Sequence, residues 1–318
     1  MPSGSGRGAE AAYSARKGYP SFVMRIAVIL NPAADRGRAA EKEEAIARGL
    51  KTRGVSFEVF RTEAPGHATE LARRALAEGF SVVAAAGGDG TVNEVAQALV
   101  GTGAALGVLP IGSGNDFIKG VGIPKALPQA LEVLRRGEVK RVDVGRVEAA
   151  GLGGRYFFNC FGAGIDGQIA LDYKRMRYLR GELGYLWAAV LEVFRFRGVR
   201  ARVEAEGFSY EGRVALLPLQ NGPFAGGGFH VAPGAAPDDG FLDLVVVDDR
   251  SIPRRFPLLK RFRDGTYFRL PGIRRLRVKR VQIELERALP AHLDGEVLPQ
   301  AVARLRVEVV PGALKVVA

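Results

Sequence analysis

Cysteine is almost absent from this 318-residue chain: Cys160 is the only one. A single thiol excludes an intrachain disulfide and a cysteine-based metal site. It stands in the apolar run Phe157-Phe158-Asn159-Cys160-Phe161, which reads as a small buried hydrophobe rather than a reactive thiol. Histidine is nearly as scarce. His67, His230 and His292 have no metal-ligand spacing, so packing or surface roles are expected of them. Long apolar runs are missing as well. The most apolar helical stretch, residues 185–194, contains Glu192 and is far shorter than the about 20 apolar residues a membrane span needs. Residues 1–23, with Gly4, Gly6, Gly8 and Gly18, lack the apolar core of a signal peptide and read as a flexible leader, with Met24 a candidate start. Acidic residues are in deficit, 34 against 46 Lys and Arg, for a net charge of +12. That surplus points to an anionic partner: nucleic acid, a membrane surface or phosphates. A reducing, cytoplasmic compartment is expected.

What is present is ordinary globular composition, 47% hydrophobic and 25% charged, in a chain long enough for about two domains. The first third alternates short apolar runs with amphipathic stretches. Strands are predicted at residues 26–30, 55–60, 81–86 and 106–109, and helices at 38–53, 67–79, 91–100 and 124–136. This alternation implies βαβ units and a parallel sheet. After about residue 146 strands dominate: 156–161, 199–206, 213–219, 241–247, 273–286 and 304–309. Helical exceptions fall at 171–197 and 253–262. The expected fold is an α/β N-terminal nucleotide-binding domain (24–146) followed by a β-sandwich C-terminal domain (147–301), with a cleft between them.

The sharpest local signal is Ala86-Gly87-Gly88-Asp89-Gly90-Thr91-Val92-Asn93-Glu94, which follows a buried strand and opens a helix. Glycines remove side chains where backbone must approach a ligand, and a helix N-terminus offers free N–H groups to phosphate. Asp89 amid those amides suits a metal ion or its bound water; a plain strand-to-helix turn capped by Asp89 or Thr91 is the competing reading. A second such loop, Leu109-Pro110-Ile111-Gly112-Ser113-Gly114-Asn115-Asp116-Phe117, follows the next strand. Both lie on the sheet edge where open α/β sheets bind ligands, and residues 31–37 would be a third. There is no Walker-type G-x-x-x-x-G-K-[ST] and no full G-x-G-x-x-G fingerprint.

These blocks resemble the motifs of the diacylglycerol kinase catalytic family, in particular its bacterial soluble lipid kinases. The resemblance rests on Asn31-Pro32, Gly87 to Thr91 with Asn93-Glu94, and Pro110-x-Gly112-Ser113-x-Asn115-Asp116-Phe117. It continues through Asn221-Gly222 with Gly226-Gly227-Gly228, residues 233–243, and His292-Leu293-Asp294-Gly295-Glu296. Gly-Gly-Asp-Gly alone also occurs in NAD kinases and phosphofructokinases; the ordered set is specific. The resemblance implies an ATP-dependent lipid kinase that phosphorylates diacylglycerol or a related lipid alcohol, and a last strand (302–318) that returns to the first domain. It implies ATP contacts at Asn31, Thr62, Gly88, Asp89, Gly90, Thr91, Val92, Asn93, Glu94 and Ser113, the last in place of the family's usual Thr. Lys119 stands where Arg is common. A catalytic Mg²⁺ would be held by Asp89 and Asp143, the latter otherwise an exposed position on an alternating strand. A second, structural Mg²⁺ would take the Asp239 carboxylate and the carbonyls of Ala236 and Phe241.

Phosphoryl transfer to an alcohol needs a base beside the hydroxyl. Asp294 is the expected base, with Glu296 next; Asp294-Gly295 is also the commonest kind of hairpin turn. The positive charge concentrates in two segments. Residues 250–280 carry a net +11 and residues 171–202 a net +5, leaving the rest of the chain at −4. Aromatic residues interleave both segments, which suits peripheral binding to the anionic inner face of a membrane that holds the lipid substrate; a solvated face is the alternative. Nucleic acid is not expected as a partner. Two other functions compete: an NAD-kinase-like phosphotransferase with a soluble acceptor, and a non-catalytic basic module that binds membrane or nucleic acid.

Overall fold

The computed structural model describes residues 25–34, 39–112, 114–176 and 181–318. The leader, Met24, residues 35–38 and Ser113 lie outside the described residues. The first domain is a parallel sheet in the order β2 (Ser56–Arg61), β1 (Arg25–Leu30), β3 (Val82–Gly87), β4 (Ala105–Pro110). Every residue of β3 and β4 is buried. That explains their unbroken apolar sequences, because a parallel sheet is covered on both faces. The cover consists of α1 (Ala39–Thr52), α2 (His67–Ala77), α3 (Asp89–Leu99) and α5 (Leu127–Arg136), with the short α4 (Asp116–Val121) following β4. Helix α5 starts with Pro128 in its first turn and stops at Gly137 in the left-handed region, the usual asymmetry of helix ends. Helix α3 begins at Asp89, two residues before the periodicity predicts, because its N-cap is a glycine with no side-chain signature.

The second domain is built on antiparallel strands. β7 (Cys160–Gly164), β9 (Phe208–Gln220), β8 (Val199–Ala205) and β12 (Arg280–Leu289) pair in that order. The small β13 (Ala291–Leu293) and β14 (Glu296–Val297) extend the β7 edge, and β10 (Leu242–Asp248) with β11 (Ile273–Val278) extends β9. The run predicted as one strand over 273–286 is therefore two, parted at Lys279 and serving different neighbours. The stretch predicted as helical over 171–197 is likewise α6 (Ile165–Arg175) and α7 (Gly181–Arg195). Both halves keep one local period, so the change of partner is invisible in sequence. Helix α8 (Ile252–Asp264) packs Leu258 and Phe262 over Val245 and Val247 of β10.

One strand joins the two halves. β15 (Val302–Val317) pairs at its start with β12, and at its end Lys315 and Val316 pair in parallel with Ala105 and Leu106 of β4. β5 (Val139–Ala149) runs antiparallel along it, from Leu305↔Ala149 to Val317↔Val139, and β6 (Gly153–Phe157) pairs with β5. Hydrogen bonding is thus continuous through a single 15-stranded sheet. Each half keeps its own apolar core. Among the described residues no helix is long and apolar enough to cross a membrane.

Candidate active site

The loops after β3 and β4 meet at a cleft of about 640 Å³ between the two halves. Its floor is the N-terminus of α3. Gly88 is the N-cap and no side chain caps it, so first-turn N–H groups face the cleft. Gly112 crosses Gly88 so closely that a Cβ on Gly112 would lie 2.4 Å from Gly88 Cα. Asp89 ties the two loops together: its Oδ2 accepts the Asn115 N–H at 2.7 Å and its Oδ1 the Phe117 N–H at 3.4 Å. Burial, and then the charge of Asp116, push the Asp89 carboxyl up to about 6. Asn31 donates from Nδ2 to Thr91 Oγ1 at 3.1 Å and fixes the loop after β1 against α3.

The opposite wall comes from the second domain. Asp294 and Gly295 form the two-residue turn between β13 and β14, with φ 50° and 87°. Both positive values fit a type I′ hairpin, so the turn and the acidic motif are the same object. The Asp294 carboxylate accepts four hydrogen bonds. Oδ1 takes the Asn159 and Cys160 N–H groups at 2.9 and 2.7 Å, and Oδ2 takes the Phe158 N–H and Asn93 Nδ2, each at 2.8 Å. Burial raises its proton affinity while these four bonds oppose the rise. Glu296 is exposed and lines the same cleft; its Oε1 would lie 3.1 Å from a Cβ on Gly90. Two contacts close the cleft across the domains: Asn93 to Asp294, and the Gly227 N–H to Asp116 Oδ2 at 2.7 Å. The other Asp116 oxygen holds Lys119 Nζ at 2.7 Å.

Of the residues expected to touch nucleotide, Asn31, Gly88, Asp89, Gly90, Thr91, Val92 and Asn93 line this cleft. Thr62 and Glu94 do not. The Thr62 N–H bonds Leu30 O beside β1. The Glu94 carboxylate caps α2, accepting the Gly66 and Ala68 N–H groups at 2.9 and 3.1 Å. One step along a helix is 100°, which carries Glu94 off the face that Asp89 and Asn93 share. Ser113 falls outside the described residues.

Asp143 does not line the cleft that Asp89 lines. Asp143 is buried, not exposed, and each of its oxygens accepts one N–H at 2.7 Å, from Gly240 and from Gly312. It clamps the loop before β10 to the bend in β15. The proposed second metal set lies in that loop. Asp239 Oδ2 is bonded to Arg277 at 2.6 Å, its Oδ1 accepts the Phe241 N–H, and the Arg277 guanidinium also covers the Phe241 ring. These donors do not fit a cation as arranged, because the charge a cation would neutralise is already met by Arg277. Among the described residues no group of three or more His, Cys, Asp or Glu forms a metal cluster. The cleft itself does fit a nucleotide with one magnesium. Side-chain-free glycines line it, uncapped helix amides face it, and Asp89 supplies one carboxylate, which is what Mg²⁺ ordinarily takes beside phosphates and water.

Sequence reasoning missed the residues behind the acidic turn. His292 is buried and lines the cleft; its Nδ1 accepts the Gly295 N–H at 3.2 Å and its Nε2 lies 3.8 Å from Asp166 Oδ2. Burial lowers His292 to about 4 and raises Asp166 to about 8. The signs are opposite. Protonated Asp166 contributes stability fully below its unfolded value near 3.8, and this is lost as pH rises through about 8. Neutral His292 contributes stability above 6.5, lost as pH falls through about 4. Asp166→Asn, which mimics the protonated acid, is expected to flatten the decline in melting temperature between about pH 4 and 8. Parallel alkaline limbs in wild type and variant would refute the assignment. The signal for these residues is tertiary: Asp166 lies on α6 and His292 on β13, far apart in sequence.

Comparison with known proteins agrees with this geometry. Residues 25–147 match the family model of the diacylglycerol kinase catalytic domain, and residues 159–318 match the YegS C-terminal NAD kinase beta sandwich-like domain. A probable lipid kinase YegS-like of Chromohalobacter salexigens is 35% identical over 285 residues, covering 86% of this chain and 87% of its own. A protein of the same description from Pseudomonas aeruginosa is 33% identical over 296 residues, 88% and 91% of the two chains. The solved structure of a diacylglycerol kinase from Bacillus anthracis shares the fold with a TM-score of 0.70, at 23% identity over 92% of this chain and 96% of that one. With both domain models in order, and a glycine-lined anion cradle facing an acidic turn, this chain belongs to the YegS-like lipid kinase family of the diacylglycerol kinase fold.

Proposed function

We propose that the protein transfers the γ-phosphoryl group of ATP to the hydroxyl of diacylglycerol or a related membrane lipid, at the inner face of the membrane, giving phosphatidic acid or its equivalent. The observation that supports a lipid acceptor is a wall shared by two cavities. Tyr185 and His292 line both the polar cleft and an adjoining apolar cavity of about 120 Å³. That cavity is walled by Ile165, Ile169, Leu258, Leu259 and Phe262 among others. An amphiphile with its hydroxyl in the cleft and its first chain carbons in the cavity meets chemistry of the right kind at each end.

In this reading the amides of Gly88 to Thr91 bind phosphate oxygens, and Asp89 would hold a magnesium ion. Bound there, the ion would neutralise phosphate charge. Asp294 takes the hydroxyl proton as the acceptor oxygen bonds the γ-phosphorus and the bond to the departing ADP oxygen breaks. Its buried carboxylate is a stronger base than an exposed one. Its Oδ2 is the oxygen suited to the exchange, because one of that oxygen's donors is the Asn93 side chain rather than backbone. Glu296, open to solvent over Gly90, assists in orienting the acceptor.

A panel assay tests the proposal. Purified protein, γ-labelled ATP and Mg²⁺ are offered vesicles containing diacylglycerol, phosphatidylglycerol, ceramide or a sphingoid base, with NAD as a soluble control. Label in one lipid product is expected. Label in NAD without vesicles would replace the reading with a soluble phosphotransferase.

A further inference from the structure

The most unusual surface lies outside the cleft. Leu183, Trp187 and Phe194 of α7 are 72%, 51% and 54% exposed. Their spacing of four and seven residues puts them within about 40° of arc on the helix. The other side of α7 is buried through Ala188, Ala189 and Val193. α8 carries a second stripe, Ile252 and Phe256, at 40% and 53% exposure. The two stripes meet where the Phe194 and Phe256 rings lie 6.2 Å apart. Single exposed apolar residues are ordinary; five large ones joined across two helices are not.

We infer that this α7–α8 face is the surface on which the protein docks to an anionic lipid bilayer, an inference that rests on the lipid kinase reading and gives it an address. Three observations favour a bilayer. The first is charge: Arg254, Lys260 and Arg261 of α8, and Arg195 and Arg197 at the end of α7, are all exposed on the two helices that carry the stripes, with Lys260 nearest the Ile252–Phe256 stripe in helical turn. Cations on a helix that also shows Trp or Phe are what an interfacial surface presents to anionic headgroups. Five other arginines of residues 250–280 are paired with acids of the same chain. Arg255, Arg274, Arg275, Arg277 and Arg280 pair with Asp249, Asp248, Asp243, Asp239 and Glu308. The charge left outward therefore gathers at α8 more narrowly than the sequence count of 250–280 indicates.

The second observation is rigidity. Arg255 donates to Val193 O and Phe196 O at the end of α7 and to Asp249 Oδ1, locking the two helices into one plate. The third is continuity. Ala189, Val193, Leu258 and Phe262 on the inner sides of these helices wall the apolar cavity that adjoins the cleft. Docking by the outer face leaves only these two helices between that cavity and the bilayer.

Trp187 is the only tryptophan in the chain, so its emission reports this face alone. The full chain, without ATP, is titrated with phosphatidylcholine vesicles holding 30% phosphatidylglycerol. A blue shift, and quenching by bromine-labelled acyl chains, is expected; pure phosphatidylcholine should bind more weakly. Removing one exposed cation, as in Lys260→Gln, should weaken binding about fivefold. The pair Phe194→Ser with Phe256→Ser should weaken it tenfold or more, with nucleotide affinity and melting temperature unchanged. Absence of a blue shift, or unaltered vesicle binding by the double variant, overturns the proposal. So does a shift that follows protein concentration without vesicles, which would mark the face as an interface between copies. Because binding is read without turnover, a protein that docks and phosphorylates nothing refutes the kinase reading and leaves the docking face standing. Lipid phosphorylation without Trp187 burial does the reverse.

Discussion

Asp294→Asn is expected to lower kcat by about 10²- to 10⁴-fold, the usual contribution of a positioned general base. Nucleotide affinity should stay within a few-fold, since the phosphate cradle is built by the other domain. The variant also carries a stability cost that its geometry makes specific. All four hydrogen-bond positions of the carboxylate face donors, three of them backbone N–H groups. An amide in either orientation sets its NH₂ against at least one backbone N–H and leaves that donor unpaired, at about 1–3 kcal/mol. Turnover and nucleotide binding are therefore to be measured below the variant's lowered melting temperature. Glu296→Gln is the control: exposed and free of such a network, it should keep wild-type stability and lose less activity. A kcat for Asp294→Asn within tenfold of wild type would remove Asp294 from the base role and leave it as the brace of the turn.

Gly112→Ala is expected to lower ATP affinity at least tenfold and to reduce stability by about 1–3 kcal/mol, the usual range for an overpacked site. The added Cβ would meet Gly88 Cα at 2.4 Å and Gly88 N at 2.8 Å. Both are backbone atoms, so no side chain can turn aside, and the two phosphate-facing loops must move apart. Gly103→Ala is the control at the opposite end of β4: a Cβ there meets nothing within 4 Å and its backbone is not in the left-handed region. It should leave both quantities unchanged. Nucleotide calorimetry and thermal melts decide. Normal ATP binding by Gly112→Ala would mean that the crossing of the loops is not what shapes the cradle.

The legible part of the site was the part written in consecutive residues. Gly87 to Asn93 form one strand end and one helix turn, so their composition states their conformation. Asp294-Gly295 likewise declares a hairpin. Glu94 and Asp143 misled for a common reason. Each is an acid near a motif, but each is satisfied by backbone N–H groups that only the fold brings near: Gly66 and Ala68 for one, Gly240 and Gly312 for the other. The internal cation at Asp239 was hidden in the same way, since Arg277 lies on a different strand.

By itself the sequence determined the α/β first half, the strand-rich second half, the order of the phosphate loops and the acidic turn. Those follow from local period, glycine placement and helix-end chemistry, which act over a few residues. The return of the last strand to the first half was implied by the family resemblance; tertiary structure alone decided that β5 runs antiparallel along β15 and that Asn93 reaches Asp294 across the cleft. It also decided that Tyr185 and His292 stand between the polar and apolar cavities, and that Arg274, Arg275, Arg277 and Arg280 are paired with acids while Arg254, Lys260 and Arg261 of α8 stay exposed. These are contacts between residues tens to hundreds of positions apart. Hydrogen-bond geometry and burial select them, and no local pattern encodes either.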